Sequence, residues 1–222
     1  MILTSVTNRA LSLAGAAKKW WYFMLKNMTI KAWFKAKTAD KVLAPVRELI
    51  VENISPGSTV LEIGSGTGDL LFRASEKIEY GLGVDQNPVM IRFSQKKVSE
   101  GNYKNLHFEN INAEKLRDTI DKQFNVSTAT LCIHEMDEEL AIRVIRSMSE
   151  VSSRLLIADY QYPKKITERL VLELDELVSG HYHSFRNYRK NGGFPAIVDK
   201  CNLNIEKQID TKIDSIALWV VS

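Results

Sequence analysis

The chain has few of the residues that build disulfide or zinc scaffolds. Its 222 residues include two cysteines, Cys132 and Cys201, and no CxxC spacing. Two isolated cysteines cannot supply a disulfide framework or a zinc ribbon. Their scarcity favours a reducing compartment.

Long apolar runs, internal repeats and Gly/Ser-rich or Pro-rich linkers are also missing. No stretch approaches the roughly 20 apolar residues that a membrane-spanning helix needs. The start, MILTSVTNRALSLAGAA, ends in small residues as a secretory signal does, but no basic residue precedes its apolar part and Arg9 interrupts it. We therefore predict a cytoplasmic protein without a removed leader. With 45% hydrophobic and 26% charged residues, the composition is that of a globular protein.

Acidic residues are scarce in the first fifty positions. This region contains two acidic residues, Asp40 and Glu48, and nine basic ones, so its formal net charge is +7. The remainder of the chain carries −4, and the whole chain carries +3. The asymmetry predicts a basic helical extension or cap over residues 1–50 and a globular domain over residues 51–222.

From residue 59 onward, short β-branched runs alternate with amphipathic stretches. The predicted strands cover 59–64, 80–85, 105–111, 124–133 and 153–160, with helices over 69–77, 88–100, 137–151 and 166–179 and a final hairpin of 204–213 and 215–222. Such alternation is typical of right-handed crossovers in a parallel sheet. We predict an α/β fold, a doubly wound Rossmann-like seven-stranded sheet with helices on both faces and an antiparallel C-terminal hairpin.

The segment VLEIGSGTGDL, residues 60–70, is the most informative one. Glycines at alternate positions let the backbone turn sharply and approach a ligand closely. The third glycine comes one residue earlier than in the dinucleotide pattern GxGxxG, and Asp69 stands where the last glycine would be. An acid there repels a pyrophosphate and attracts an amine. Asp85 at the end of the second strand can accept ribose hydroxyls, and Asn112-Ala113 after the third can meet an adenine edge.

With these motifs the chain resembles the class I S-adenosylmethionine (SAM)-dependent methyltransferases. LEIGSGTG, GVDQNPVM, NINAEKL, TLCIHEM and ADY carry the resemblance, which covers about residues 55–222. It implies SAM as the cofactor. The implied cofactor-binding residues are Glu62, Gly64, Ser65, Gly66, Gly68, Asp85, Gln86, Asn112 and Ala113. The family more often has Asp where this chain has Asn112, so that contact departs from the pattern.

Candidate catalytic residues follow the fourth and fifth strands, where open α/β sheets bind ligands. His134 can act as a base, with Glu135 orienting it, or else cap the next helix. Asp159 can serve the acceptor pocket. The segment GHYHSFRNYRKNGG, residues 180–193, adds His181 as a third candidate. It is interpreted as a lid over the ligand end, the alternative being an aromatic core stripe.

The predicted substrate-binding residues lie in the same two segments. They are Tyr160, His183, Arg186 and Tyr188. No third ligand with a suggestive spacing accompanies the histidines, so no metal site is predicted. Cys132 lacks the adjacent proline of the cytosine C5 methyltransferases and is interpreted as a buried apolar residue.

Residues 18–37 form a basic stripe with tryptophans on its apolar side. The simplest interpretation is a helix packed on the acidic domain with its lysines in water. A membrane-surface helix is the second interpretation, and by resemblance the segment could instead cap the cofactor site. A nucleic-acid arm is the least favoured.

The sequence as a whole predicts a SAM-dependent methyltransferase that acts on a small organic acceptor at O, N or S. The enzyme would hold the acceptor atom, the methyl group and the sulfonium in a line. Where the acceptor must lose a proton, a general base would remove it. The alternatives are a membrane-surface enzyme that methylates a lipid or lipid-soluble acceptor and a SAM-binding module without catalysis. A dehydrogenase is disfavoured by the glycine spacing.

Overall fold

The computed structural model describes residues 40–161 and 182–222, and for residues 182–184 it describes the backbone alone. The basic segment 18–37, the helix predicted over 166–179 and His181 lie outside the described residues, as does the side chain of His183. What the sequence predicts for them stays a prediction.

Seven strands of the described residues form one sheet. Their bounds are β1 Thr59–Ile63, β2 Tyr80–Val84, β3 Leu106–Glu109, β4 Val126–Thr130, β5 Leu155–Tyr160, β6 Ile205–Asp210 and β7 Ile216–Val221. The spatial order is β3-β2-β1-β4-β5-β7-β6. Strands β1 to β5 are parallel, and β7 runs antiparallel between β5 and β6. The predicted Rossmann-like sheet and its antiparallel C-terminal hairpin are therefore confirmed.

Helices pack on both faces of this sheet. Their bounds are α1 over 40–52, α2 Asp69–Ala74, α3 Pro88–Gly101, α4 Leu116–Thr119, α5 Glu138–Val151, α6 Tyr182–Lys190 and α7 Gly193–Lys200. Side chains cap two of these helices at their N-termini: Asn87 Oδ1 accepts a hydrogen bond from the Val89 amide at 3.0 Å, and Asp137 Oδ1 accepts one from the Leu140 amide at 2.8 Å. None of the helices in this part of the chain is long and apolar enough to span a bilayer.

Several predicted elements are a few residues longer than those of the structure, and two differences have a clear backbone cause. Strand β4 ends at Thr130 and not at residue 133 as predicted. Leu131 has a left-handed φ of 50°, which interrupts the extended backbone of the strand. Helix α7 was not predicted. It begins after Gly192, whose φ of 96° turns the chain sharply, and this corner brings Phe194 to 5.1 Å from the Trp219 ring.

The hydrophobic core has two layers, one on each face of the sheet. One layer joins α5 and α7 to the sheet through residues such as Ile145 and Trp219. The other layer includes Val46 and Ile50 of α1, both fully buried. Strands β1, β2, β4, β5 and β7 are buried on both faces, whereas β3 alternates and β6 at the edge is mostly exposed. Helix α1 continues past residue 50, so the part of the chain from residue 40 onward packs into the domain core.

Gly83, inside β2, has no room for a side chain. A Cβ there would lie 2.5 Å from the Phe108 ring and 2.9 Å from the Ser65 Cβ. Because packed neighbours would have to move, we expect Gly83→Ala to lower the free energy of unfolding by about 1–3 kcal/mol, measured by urea denaturation. The double variant Gly83→Ala/Phe108→Leu should recover part of the loss. A single variant as stable as wild type would contradict this packing.

Candidate cofactor and active site

The loop between β1 and α2 turns through three glycines. Gly64, Gly66 and Gly68 have left-handed φ values of 62°, 52° and 75°. A Cβ on Gly68 would lie 2.5 Å from the Phe108 ring, and one on Gly64 would lie 3.2 Å from the Cys132 Sγ. Gly64 and Gly68 are therefore required by both conformation and space, and Gly66 by its conformation. The bare backbone of the loop can approach a ligand closely.

Asp85, at the end of β2, holds this loop in place. Its Oδ2 accepts a hydrogen bond from the Gly66 amide at 2.8 Å, and its Oδ1 accepts one from the Asn87 amide at 2.7 Å. The side chain is half-buried, so each carboxylate oxygen keeps a lone pair on the accessible side. The sequence predicted Asp85 as a ribose ligand; its second role as the tie between loop and strand was missed.

The residues predicted to meet the ribose and the adenine come together in the structure. Gln86 follows β2 and donates its Nε2 to Asn112 Oδ1 at 3.1 Å. Asn112 Oδ1 also accepts from the Glu114 amide at 3.0 Å, which starts a short 3₁₀ turn. Ala113 is buried beneath it. The amide side chains are thus pre-positioned at the carboxyl ends of β2 and β3.

Two buried oxygens next to the glycine loop have no hydrogen-bond partner among the described residues. They are Glu62 Oε2 on β1 and Ser65 Oγ in the loop. Such acceptors are rare in a folded core and indicate a missing donor. The ammonium end of SAM is a cationic donor of this kind, so the residues present fit the cofactor implied by the resemblance.

Burial, opposed by the charge of Arg47 and assisted by the nearby carboxylates of Asp69, Asp85 and Asp40, raises the pKa of Glu62 to about 8. At pH 7 the Glu62 side chain is therefore mostly protonated in the protein without ligand. A cationic ligand beside it favours the ionised form.

A buried charge network joins α1 to the cofactor loop, and the sequence did not predict it. Arg47 Nη1 lies 2.6 Å from Asp40 Oδ1 and 2.9 Å from Asp69 Oδ2. Asp40 Oδ2 accepts a hydrogen bond from the Thr67 hydroxyl at 2.9 Å. Burial is the largest single influence on the pKa of Arg47 and lowers it. The acids together outweigh burial, so the pKa of Arg47 is raised. The only signal in the sequence was the isolated acid Asp40 within the basic region.

Asp69 therefore has a different role from the one predicted. The sequence suggested that its charge attracts the amine of a ligand. In the structure its Oδ2 is shared by Arg47, at 2.9 Å, and Arg73 Nε, at 2.6 Å. These cations compensate its charge, whereas the buried Glu62 oxygen is the acceptor that lacks a donor.

His134 and Asp159 form a buried pair at the carboxyl ends of β4 and β5. His134 Nδ1 lies 2.6 Å from Asp159 Oδ1, with side-chain exposures of 3% and 0%. The carboxylate also accepts from the backbone amides of Ile133, at 2.9 Å, and Tyr160, at 2.7 Å. Because an ionised carboxylate only accepts, His134 donates through Nδ1 and its basic nitrogen is Nε2.

This geometry corrects the expected partner of His134. The sequence assigned its orientation to Glu135, but Asp159 has that contact and Glu135 is exposed. The next helix is capped by Asp137, not by His134. Asp159 is fully buried, and its side chain contacts the ring of His134.

Aromatic rings surround this pair. The Tyr160 and Phe185 ring centroids lie 4.4 Å and 6.2 Å from that of His134. Tyr188 donates its hydroxyl to the Tyr160 carbonyl at 3.0 Å. Burial, followed by the charge of Asp159, raises the Tyr188 pKa well above its usual value, so Tyr188 is a neutral phenol. Phe185 and Tyr188, three residues apart on α6, therefore both face His134.

The other predicted residues are placed as follows. Arg186 is exposed on α6.

Burial raises the pKa of the Cys132 thiol well above its usual value, which agrees with a packing role near Gly64. Within residues 40–161 and 182–222, no group of three or more His, Cys, Asp or Glu side chains is placed to hold a metal ion.

The fold and this site define a class I SAM-dependent methyltransferase. The chain belongs to the family described as "Methyltransferase domain", whose profile matches residues 54–213.

Curated relatives include C-methyltransferases of ubiquinone and menaquinone biosynthesis. The one from Vibrio campbellii is 28% identical over 145 residues, which are 59% of this chain and 56% of the relative. The one from Vibrio cholerae El Tor Inaba is 30% identical over 113 residues, 49% of this chain and 43% of the relative. The chain spans about half the length of these relatives.

Solved structures share the fold at low sequence identity. The mitomycin 7-O-methyltransferase MmcR is 15% identical, with a TM-score of 0.64 over 90% of this chain and 66% of that one. A SAM-dependent methyltransferase from Aquifex aeolicus is 15% identical, with a TM-score of 0.60 over 87% of this chain and 97% of that one. The O-methyltransferase NcsB1, in complex with SAM and 2-hydroxy-5-methyl naphthoic acid, is 11% identical, with a TM-score of 0.64 over 91% and 60%.

We expect Asp85→Asn to weaken SAM binding by at least about tenfold and to lower the free energy of unfolding by about 1–3 kcal/mol. The amide would present a donor where the Gly66 and Asn87 amides also donate. Calorimetric titration with SAM and urea denaturation measure the two effects. The exposed Asp121→Asn is the matched control. Wild-type affinity in Asp85→Asn would refute the cofactor-site assignment.

SAM binding should release protons near neutral pH because Glu62 ionises beside the cationic ligand. The pKa of about 8 in the free protein implies that most molecules carry this proton at pH 7 and lose it on binding. Calorimetry at pH 7 in two buffers of different ionisation enthalpy measures the number released. We expect wild type to release more protons than Glu62→Gln; equal release would show that Glu62 does not face the ligand.

Proposed function

We propose that this chain transfers the methyl group of SAM to a small aromatic hydroxy compound, with His134 as general base. The observation that carries the proposal is the buried His134–Asp159 pair, with its Nδ1 to Oδ1 distance of 2.6 Å. It stands at the ends of β4 and β5, near the glycine loop: Cys132 Sγ, two residues before His134, would lie 3.2 Å from a Cβ placed on Gly64. A base, a cofactor cradle and aromatic walls thus lie at the same edge of the sheet.

The chemistry requires a proton to leave the acceptor. When bound, SAM supplies a methyl group activated by its sulfonium. A ring hydroxyl becomes a strong nucleophile, at its oxygen and at the neighbouring ring carbons, only once it has lost its proton. His134 takes that proton, and Asp159 holds the ring by Nδ1–H and stabilises the imidazolium that forms. The same pair therefore serves O-methylation or C-methylation.

The rings around His134 suit a flat acceptor. Tyr160, Phe185 and Tyr188 all lie within 6.4 Å of the His134 ring centroid. Aromatic pairs at such distances favour stacked or edge contacts. These contacts would orient a ring so that its hydroxyl meets the base.

The names of similar proteins support an aromatic acceptor. The Vibrio relatives are C-methyltransferases of ubiquinone and menaquinone biosynthesis, and the NcsB1 structure contains a hydroxylated naphthoic acid. These similar proteins extend the range of acceptor atoms from the O, N and S that the sequence suggested to carbon as well. The alternative of a lipid or lipid-soluble acceptor at a membrane surface depends on residues 18–37, which lie outside the described part of the chain.

The test is transfer of radiolabelled methyl from SAM to a panel of hydroxylated benzenes and naphthalenes. With an accepted substrate, we expect His134→Gln to lower kcat by about 10²–10⁴-fold, the contribution of a general base. The dissociation constant of SAM should stay unchanged, because His134 does not belong to the cofactor cradle. The loss should diminish as the pH is raised, because more acceptor is then already ionised.

Glu135→Gln is the matched control, since this exposed neighbour does not orient the base, and it should retain wild-type kcat. Full activity of His134→Gln with the same substrate would refute the base assignment. Failure of the wild-type enzyme to methylate any hydroxylated ring would refute the proposed acceptor class.

A further inference from the structure

Contacts from neighbouring elements hold the glycine loop of the cofactor cradle. Asp85 accepts from the Gly66 amide at 2.8 Å, and the Ser94 hydroxyl of α3 lies 2.9 Å from the Gly66 carbonyl oxygen. A further contact comes from α1, where Asp40 Oδ2 accepts from the Thr67 hydroxyl at 2.9 Å. The loop is therefore fastened to the edge of the sheet, to α3 and to α1.

The contact between Asp40 and Thr67 is buried. Asp40 is 7% exposed and Thr67 is 3% exposed. A hydrogen bond to a carboxylate that is shielded from water is among the stronger ones in a protein. Thr67 stands between Gly66 and Gly68, whose left-handed φ values of 52° and 75° shape the loop. Fixing the residue between the two glycines restricts a stretch of backbone that is otherwise unusually free.

Arg47 keeps the Asp40 carboxylate in position for this contact. Its Nη1 lies 2.6 Å from Asp40 Oδ1, while the other carboxylate oxygen accepts from Thr67. The same guanidinium nitrogen lies 2.9 Å from Asp69 Oδ2. Because Thr67 and Asp69 flank Gly68, the residue that caps α2, α1 holds the chain on both sides of this glycine.

Helix α1 is itself anchored in the hydrophobic core. Its residues Val46 and Ile50 are fully buried in the layer that also contains Val60 of β1. Glu62, two residues further along β1, lies on the same face of the sheet as Val60, because side chains alternate along a strand. The helix is therefore a fixed support that reaches the cofactor loop from the face that carries the buried Glu62.

We propose that the contact between Asp40 and Thr67 couples α1 to cofactor binding. Asp40 is a positioning residue that acts through Thr67: it holds the glycine loop in the form that receives SAM, and bound SAM in turn stabilises the docked α1. Coupling between two sites is reciprocal, so both effects occur together. This coupling depends on SAM as the cofactor and is independent of the methyl acceptor and of His134.

Two substitutions of Thr67 separate the hydrogen bond from packing. Thr67→Val keeps the shape of the side chain and removes the hydroxyl, whereas Thr67→Ser keeps the hydroxyl and removes the methyl group. We expect Thr67→Val to weaken SAM binding by about tenfold and Thr67→Ser to bind SAM within about twofold of wild type. Calorimetric titration with SAM measures both. A role in packing alone predicts the opposite order.

Substitution of the partner of Thr67 gives an independent check. Asp40→Ala should weaken SAM binding at least as much as Thr67→Val. Adding Thr67→Val to Asp40→Ala should cause no further loss, because the two residues act through one contact. Glu48→Gln on the same helix is the matched control, since this exposed acid pairs with Arg73 of α2. Urea denaturation shows whether each variant is folded.

The reverse effect is measured by hydrogen–deuterium exchange of the full chain at saturating SAM. We expect SAM to slow the exchange of the α1 amides in wild type and in Thr67→Ser, and to slow it much less in Thr67→Val. The amides of α5, on the other face of the sheet, are the reference for the general stabilisation that a bound ligand gives to a folded protein.

The proposal is overturned if Thr67→Val binds SAM as wild type does, or if Thr67→Ser binds SAM as weakly as Thr67→Val. It is overturned as well if, in wild type, SAM slows the exchange of α1 no more than that of α5. These experiments measure no methyl transfer, so their outcomes are distinct from a failure of the proposed aromatic acceptor.

Discussion

The ligand-binding edge of this domain depends on carboxylates at strand ends that accept backbone N–H groups from the neighbouring loop. Asp85, after β2, holds Gly66 of the loop that follows β1. Asp159, in β5, holds Ile133 of the turn that follows β4. In a parallel sheet the carboxyl ends of adjacent strands lie side by side, so an acid on one strand reaches the amides of the next. Without these acceptors, amides in both turns would lack partners.

Three acids at this edge have different roles because their surroundings differ. Asp85 is half-buried and remains accessible to a ligand. Asp159 is fully buried and contacts the ring of His134. Glu62 is buried with one unpartnered oxygen, and burial raises its pKa to about 8. The same functional group thus occurs as a tie between loop and strand, as the buried partner of a histidine, and as a buried acid with an unpartnered oxygen.

The uneven charge of the chain has a structural counterpart in α1. Arg47, one of the nine basic residues of the first fifty, pairs with Asp69 of the more acidic remainder at 2.9 Å. Asp40, one of the two acids in that region, accepts from Thr67 of the glycine loop. The helix is therefore fastened to the cofactor loop at two points. Because Asp40 pairs with Arg47, removal of this guanidinium would leave the largely buried Asp40 carboxylate without its ion-pair partner.

The amino-acid sequence by itself determined the features that have local causes. The alternation of strands and helices, the caps at Asn87 and Asp137, and the glycine turn beginning at Gly64 each depend on a few neighbouring residues. The cofactor class could be predicted because its motifs recur at successive strand ends. The reversed terminal hairpin was predicted from two strand-like segments joined by a short turn.

Only the tertiary structure decided which distant residues meet. His134 pairs with Asp159, 25 positions away, and not with the adjacent Glu135. Arg47 reaches Asp69, 22 positions away, and the corner at Gly192 brings Phe194 to Trp219. The physical reason is that these contacts depend on strand order and helix packing, which join segments without regard to their separation along the chain. Spacing in the sequence can identify the candidate residues, but their partners are chosen by the fold.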